Sequence, residues 1–281
     1  MARINKCIEL LAQGQPIYLT HPTALTYDAG LQDAKTWADM LLIDFEHRPF
    51  NTHGLTEYMR GLKDGGPTAS GHPTPTVVCT LPSNAISPEE VCYNAWQARH
   101  ALTAGIHGIL HTHARSAESV KAFVQITRYP FQTLGREVIG EGLRGAGGQG
   151  PACTVWGLSP AAYAQVADPW PLNPDGELLL GLKIEDRHCP MAGQIVRELS
   201  RFTESGESHY TFQVDIGQQQ VALGHDPELA ADQQVLQDIA WKGLDELAER
   251  DRVYLWTAGL LGVPGFLQEI ERWPRQAAYP V

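Results

Sequence analysis

The chain has no C-x-x-C pair and no closely spaced set of cysteines. Its five, Cys7, Cys79, Cys92, Cys153 and Cys189, are odd in number and far apart, which argues against a disulfide framework and reads as reduced thiols in a cytoplasmic protein. Positive charge is also scarce. With 21 Lys and Arg against 32 Asp and Glu, the formal net charge is -11, and the clustered basic residues of a nucleic-acid footprint are missing. Long apolar runs are absent as well. Met1 to Gln15 is amphipathic, with Arg3 and Lys6, but has no apolar core of a signal peptide and no small-residue cleavage site. Nowhere does an apolar run approach the roughly 20 residues that span a bilayer. The expectation is an unexported, cytoplasmic protein with neither nucleic acid nor membrane as partner.

What is present is enough apolar material for a large core: 43% of 281 residues, sufficient for one domain over residues 1–281. Short apolar runs recur at Pro16–Thr20, Met40–Asp44, Thr76–Thr80, Gly108–Thr112, Leu178–Glu185, Tyr210–Asp215 and Arg252–Thr257. Helical patterns lie between them. Ser87-Pro88-Glu89-Glu90 is a capping box with Pro at the first helical position, followed by Val91, Ala95, Ala98 and Leu102 on one face. Ser116 opens a second helix, with Val120, Phe123, Val124 and Thr127 on a stripe ending before Tyr129-Pro130, and Glu228 to Arg250 reads as a long third. Strands alternating with helices predict a parallel sheet covered by helices, and at this length a (β/α)₈ TIM barrel leads. Its eighth strand is the weak point, because after Thr257 only Leu260-Leu261-Gly262-Val263 and a terminal helix, Phe266–Arg272, remain.

Two stretches read as loops, Gly65 to Pro75 and Gly140 to Pro151. The second contains Gly145-Ala146-Gly147-Gly148-Gln149-Gly150, formally G-x-G-x-x-G. A dinucleotide site is not expected there, since no strand precedes it and Pro151 rather than a helix follows. Val166 to Gly176, holding Asp168-Pro169-Trp170-Pro171, reads as a surface excursion.

The chemistry is concentrated where apolar runs end. Met40-Leu41-Leu42-Ile43 runs into Asp44-Phe45-Glu46-His47, Leu178–Ile184 into Glu185-Asp186-Arg187-His188, and Tyr210–Val214 into Asp215. In parallel α/β folds the C-terminal strand ends face the ligand crevice. Carboxylates converging there suit Mg²⁺ or Mn²⁺, which prefer carboxylate and water ligands. His111 and His113 alternate around Thr112, so both are expected on one face at the end of their strand, with either a substrate or metal role or the ordinary role of a satisfied helix-facing or loop imidazole.

Asp44-Phe45-Glu46-His47, Ala101 to Leu110, Arg128-Tyr129-Pro130, Gly135-Arg136 and Lys183-Ile184-Glu185, in this order over roughly residues 3 to 225, resemble the HpcH/HpaI aldolase and citrate lyase family. The resemblance implies a modified TIM barrel of the phosphoenolpyruvate/pyruvate-binding type and a trimer or hexamer exchanging its last helix. It also implies a divalent metal that holds a 2-oxo acid as its enolate while a carbon-carbon bond is made or broken. It makes His47 the acid/base group, Glu185 a metal ligand, and Asp44 and Glu46 the acids around the imidazole and a metal-bound water. An imidazole with a pKa near 6.5 suits proton transfer at neutral pH.

The departures from that pattern matter equally. Where the family places a substrate-gripping Arg at the end of the third strand, the chain reads Val77-Val78-Cys79; where an Asp partners the catalytic His, it has Thr103; the Gln two before the metal Glu is Lys183. The Gly-Pro-x-Asp-Leu signature is replaced by Asp215-Ile216-Gly217, leaving Asp215 as a displaced second metal acid. A neutral thiol cannot replace a guanidinium fork, so Cys79, Lys183, His113 and Arg136 are the candidate substrate-binding residues of an altered clamp, with Arg144 a further source of charge. For Cys79 the alternative is a buried core thiol, the commoner fate of such a residue, and for Lys183 a solvated strand-end lysine. The function these features imply is a Mg²⁺- or Mn²⁺-dependent carbon-carbon lyase of aldolase type, acting on a small organic acid. The alternatives are decarboxylation, hydration or hydrolysis on the same site, or a ligand-binding barrel without catalysis.

Overall fold

The computed structural model describes residues 3–13, 17–184, 211–214 and 254–256. Its organising element is an all-parallel sheet. The strands are β1 (Leu19–Thr20), β2 (Met40–Ile43), β3 (Thr76–Asn84), β4 (Gly108–Thr112), β5 (Pro169–Trp170), β6 (Leu178–Ile184), β7 (Thr211–Val214) and β8 (Tyr254–Trp256). Their order is β1-β2-β3-β4-β6-β7-β8, with β5 paired to the start of β6. This is a parallel α/β fold of TIM-barrel type, as expected. All seven apolar runs read from the sequence contain strands. The segment Leu260–Val263 and the helices expected over Glu228–Arg250 and Phe266–Arg272 lie outside the described residues.

Alternation along the strands sorts side chains into two apolar layers. Met40 and Leu42 of β2, Val78 of β3, Leu110 of β4 and Leu179 of β6 join Ile17 and Leu19 in one cluster. That cluster also contains Cys7, Ile8 and Leu11 of α1 (Lys6–Ala12), so the helix closes off the inner face. Its N-cap Asn5 is fully buried. The Asn5 amide N–H donates to Glu177 Oε2 (2.9 Å), and its side chain donates to the carbonyls of His107 and Glu177. Because His107 and Glu177 precede β4 and β6, α1 sits across the N-terminal ends of the strands.

The other layer contains Leu41, Ile43, Val77, Cys79, Ile109 and Leu180, which meet the surrounding helices. These include α2 (Tyr27–Asp33), α3 (Thr52–Asp64), α4 (Pro88–Tyr93), α5 (Ala95–Thr103) and α6 (Ala117–Thr127). The α2–α3 crossing is close enough to require glycine, since a Cβ on Gly30 or Gly61 would overlap the facing carbonyl of Tyr58 or Tyr27. Cys79 and His111 belong to this helix-facing region. Cys79 is fully buried, and the His111 ring packs edge-on against Phe123 of α6 at 4.9 Å.

Three local expectations need correction. The helix opened by Ser87 breaks at Asn94, which caps α4 at its end and begins α5. A helix does follow the glycine-rich loop, with α7 (Arg136–Ile139) before it and α8 (Gly150–Trp156) starting at Gly150 with Pro151 in its first turn. The other ground for setting aside a dinucleotide site stands, since no strand runs into the loop. Finally, Asp168 to Trp170 is not a surface excursion. Asp168 is 1% exposed and receives Arg128, also 1% exposed, through Nε (2.7 Å) and Nη2 (3.1 Å). That buried pair, 40 residues apart in sequence, ties the end of α6 to the start of β5 and β6.

Candidate active site

The C-terminal end of β2 delivers the titratable groups. Asp44 continues the inner-facing alternation of Met40 and Leu42 but stands beyond the last strand residue, half-buried at the rim. The backbone then folds over the Asp44 carboxylate. Its Oδ1 accepts from the amides of Glu46 (3.0 Å) and His47 (3.2 Å) and from the Thr80 hydroxyl (3.2 Å). The Thr80 oxygen in turn accepts from the amides of Phe45 (2.8 Å) and Glu46 (3.0 Å). One hydroxyl on β3 therefore fixes the turn on β2. Thr80 is a residue the sequence reading missed, and the signal was available: with Val78 facing inward, so does position 80.

The other carboxylate oxygen, Asp44 Oδ2, lies 2.9 Å from His47 Nδ1. Burial of Asp44 by itself would raise its pKa. Hydrogen bonds from the His47 ring and amide, the imidazole charge and the Thr80 hydroxyl outweigh burial, and the net shift is downward. An ionised Asp44 accepts a proton-bearing Nδ1 and leaves Nε2 of a neutral His47 with a free lone pair. His47 is 48% exposed on its side chain, so Nε2 is accessible to a bound molecule. The arrangement can take a proton at Nε2 and return it.

Glu46 stands between two imidazoles, its Oε1 3.9 Å from His47 Nε2 and 3.3 Å from His113 Nε2. His113 reaches it because its φ of 56° places it in the left-handed region, which breaks the strand alternation after Thr112. His111 and His113 therefore do not share a face, contrary to expectation. His111 is driven by burial down to a pKa of about 3 and faces α6. Asp44, Glu46 and His47 each offer one ligand atom, all within 4.8 Å of one another. Two carboxylates and an imidazole form a donor set that suits a hard divalent cation.

A cleft of about 240 Å³ opens beside this cluster, lined by His21, Pro22, Leu25, Asp44, Phe45 and Arg48 among others. His21 follows β1 directly and was also missed. Burial lowers its pKa, against the opposing effects of a hydrogen bond to the Leu42 backbone and the Asp44 charge, and Arg48 lowers it further.

The remaining sequence candidates disperse. Cys79 faces the helices, and burial pushes its thiol far above the usual range, so it is corrected from a substrate-binding residue to a core residue; the inward position is Thr80. Arg136 is corrected too. α6 runs back from the rim to the N-terminal side of the sheet, and Arg136 lies beyond its far end, exposed and paired with Glu141 at 3.1 Å. Arg144 is buried there, its guanidinium 4.6 Å from the Tyr129 ring and bonded to the Tyr163 hydroxyl at 2.9 Å. Thr103 ends α5 before β4 begins, at the opposite end of the strands from His47; the acid beside His47 is Asp44. The backbone of Lys183 lies in β6, paired with Gln213 of β7. Glu185 and Asp215 lie outside the described residues.

No family model matches the sequence, and no curated protein matches it. Solved structures do. A HpcH/HpaI aldolase/citrate lyase family protein from Burkholderia cenocepacia J2315 superposes with a TM-score of 0.63 over 95% of this chain and 96% of its own, at 16% identity. The fold is that of the HpcH/HpaI aldolase and citrate lyase proteins. A HpcH/HpaI aldolase from Desulfitobacterium hafniense DCB-2 gives the same TM-score, 0.63, at 16% identity over 96% of this chain and 87% of that one. Macrophomate synthase gives 0.58 at 18% identity, over 97% and 81%. Among the described residues no helix is long and apolar enough to cross a membrane.

Proposed function

We propose that this chain is a divergent HpcH/HpaI-type enzyme, a divalent-metal-dependent carbon-carbon lyase of aldolase type acting on a 2-oxo acid or a related enolisable acid. The observation that carries the reading is the Asp44–His47 pair (2.9 Å) at the rim of a parallel α/β sheet, with Glu46 beside it. His47 Nε2 moves the proton. Asp44 holds Nδ1 protonated and stabilises the imidazolium that forms when Nε2 accepts a proton. Glu46 and His113 bound the space in which the acid sits.

The reading includes Mg²⁺ or Mn²⁺, with Glu185 and Asp215 as proposed ligands and Glu46 and Asp44 as the nearby acids. Such an ion, when bound, supplies Lewis-acid stabilisation of an enolate oxygen. Homo-oligomers, trimers or hexamers, and a cytoplasmic location belong to the same proposal. Thr80, a neutral residue, occupies the inner face midway along β3, level with the Asp44 turn, which favours a substrate whose carboxylate is held from elsewhere.

The test is an assay of oxaloacetate decarboxylation and of pyruvate condensation with aldehydes, with Mg²⁺, with Mn²⁺ and after EDTA treatment. Activity is expected to depend on the ion, and His47→Ala to lower turnover by about 10² to 10⁴. Glu185→Gln is expected to remove the ion's stabilisation of the fold, worth about 2.7 kcal/mol at a hundred times the dissociation constant. Activity indifferent both to EDTA and to His47→Ala would sink the proposal.

A further inference from the structure

The cleft beside Asp44 has walls of one kind and polar groups of another. Pro22, Ala24, Leu25, Leu42 and Phe45 make it largely apolar, and His21, Asp44, Arg48 and Asn51 bring polar groups to it. Few polar groups on apolar walls is the ordinary make-up of a small-molecule site. Its volume of about 240 Å³ corresponds to about eight water-sized groups.

Arg48 stands out among these. It makes no hydrogen bond or ion pair with any described residue, although it lies close enough to His21 to lower that imidazole's pKa. The nearest acid does not neutralise it, because Asp44 is committed to His47, Thr80 and two backbone amides. His21 is held toward its neutral form by burial. Arg48 is therefore the fixed cation among the cleft's lining residues, next to apolar surface and one residue from His47.

We propose that Arg48 is the substrate anchor of this chain, binding through its guanidinium the carboxylate of an acid that carries a short apolar segment between that carboxylate and the reacting carbon. The substrate class deepens the aldolase-type reading above and rests on it; the carboxylate site itself does not. A guanidinium fork matches a carboxylate bidentately. Asp44 repels the same group, so the anionic terminus is kept on the Arg48 side while the apolar segment lies along Leu25, Leu42 and Phe45. A short dianion such as oxaloacetate would leave those walls unfilled. The anchor thus supplies, from the loop after β2, the cation that the neutral Thr80 on the inner face of β3 does not.

The experiment is calorimetric titration of the full chain with octanoate and, separately, with octanamide. Octanoate is expected to bind, and Arg48→Gln to weaken it about ten- to a hundredfold, the worth of one or two charged hydrogen bonds. Octanamide affinity should be the same for parent and variant, and Arg48→Lys should restore part of the octanoate affinity. Absence of octanoate binding, equal octanoate affinity in parent and variant, or equal losses for acid and amide would each overturn the proposal. With an active enzyme, Arg48→Gln should raise KM for the preferred acid, whereas His47→Ala should lower kcat. If octanoate binding depends on Arg48 while His47→Ala and EDTA leave turnover unchanged, the carboxylate site stands and the lyase reading falls. The reverse pattern removes Arg48 and keeps the lyase.

Discussion

The two ends of the sheet treat polar side chains in opposite ways. At the N-terminal end, polar groups are covered by partners: Arg128 meets Asp168 at 2.7 Å, Asn5 meets Glu177 and the His107 carbonyl, and the partly exposed Arg3 meets Glu177 at 3.4 Å. At the C-terminal rim, Asp44, Glu46, His47 and His113 lie close together with His47 the most exposed of them, and Arg48 has no partner among the described residues. A matched buried pair is held by its partners and leaves nothing for a ligand to satisfy. At the rim, the half-exposed His47 can exchange a proton at Nε2 and the Arg48 guanidinium can meet a bound molecule. Stability and chemistry are thus separated along the strand axis, as in other barrels of this type.

The largest expected effect on the fold is at the N-terminal end. Asp168→Ala strands the Arg128 guanidinium, 1% exposed, and removing one partner of a buried pair costs about 3 to 5 kcal/mol. Urea denaturation measures it. A loss below about 1 kcal/mol would mean that the pair behaves like a surface bridge and that the contrast between the two ends is overdrawn.

Which of these features could be read in advance follows from their range in sequence. The strands were legible because each is a short apolar run, and the capping residues Ser87 and Ser116 because a cap is local. Asp44, Glu46 and His47 were legible together because they fall within four residues of one strand end. The Arg128–Asp168 pair was not, because 40 residues separate its members; Arg144 read as charge available to a clamp because the Tyr163 hydroxyl that holds it is 19 residues away. The position of His113 depends on a left-handed φ of 56°, which no alternation rule yields for a histidine. Cys79 was open to two readings, a clamp residue or a core thiol, and it lies in the core: alternation from Val78 puts Thr80 inward, and counting that register would have found it.

A second contrast lies in the imidazoles. His107 and His111 are fully buried, and burial lowers both to about 3 from a usual value of 6.5. Their folded pKa lies below the unfolded one, so the unfolded chain binds protons that the folded chain refuses, and stability falls as pH drops from 6.5 toward 3. Each contributes a slope of about 1.4 kcal/mol per pH unit once the unfolded group is fully protonated. Asp44 has the same sign in a lower window: its lowered pKa gives stability that is present above 3.8 and lost as pH falls below it. Denaturation between pH 6 and 4 is expected to show a shallower slope in His111→Leu than in the parent, by about one proton. An unchanged slope would mean that His111 is hydrated and able to charge within the fold.

The smallest expected effects test the register along β3 by comparing neighbouring residues. Thr80→Val keeps the shape but removes the acceptor for the Phe45 and Glu46 amides and the donor to Asp44 Oδ1. A buried donor left unsatisfied costs about 1 to 3 kcal/mol, and the Asp44–His47 turn loses its support, so both stability and turnover should fall. Cys79→Ala removes one sulfur from the layer facing the helices, a change worth about 1 kcal/mol, and turnover per folded molecule should stay near that of the parent. Measuring kcat and denaturation midpoint for the two variants in parallel separates the faces of the strand. If Cys79→Ala abolishes turnover while Thr80→Val does not, then the thiol rather than the hydroxyl reaches the site, and the assignment of inner and outer faces along β3 is reversed.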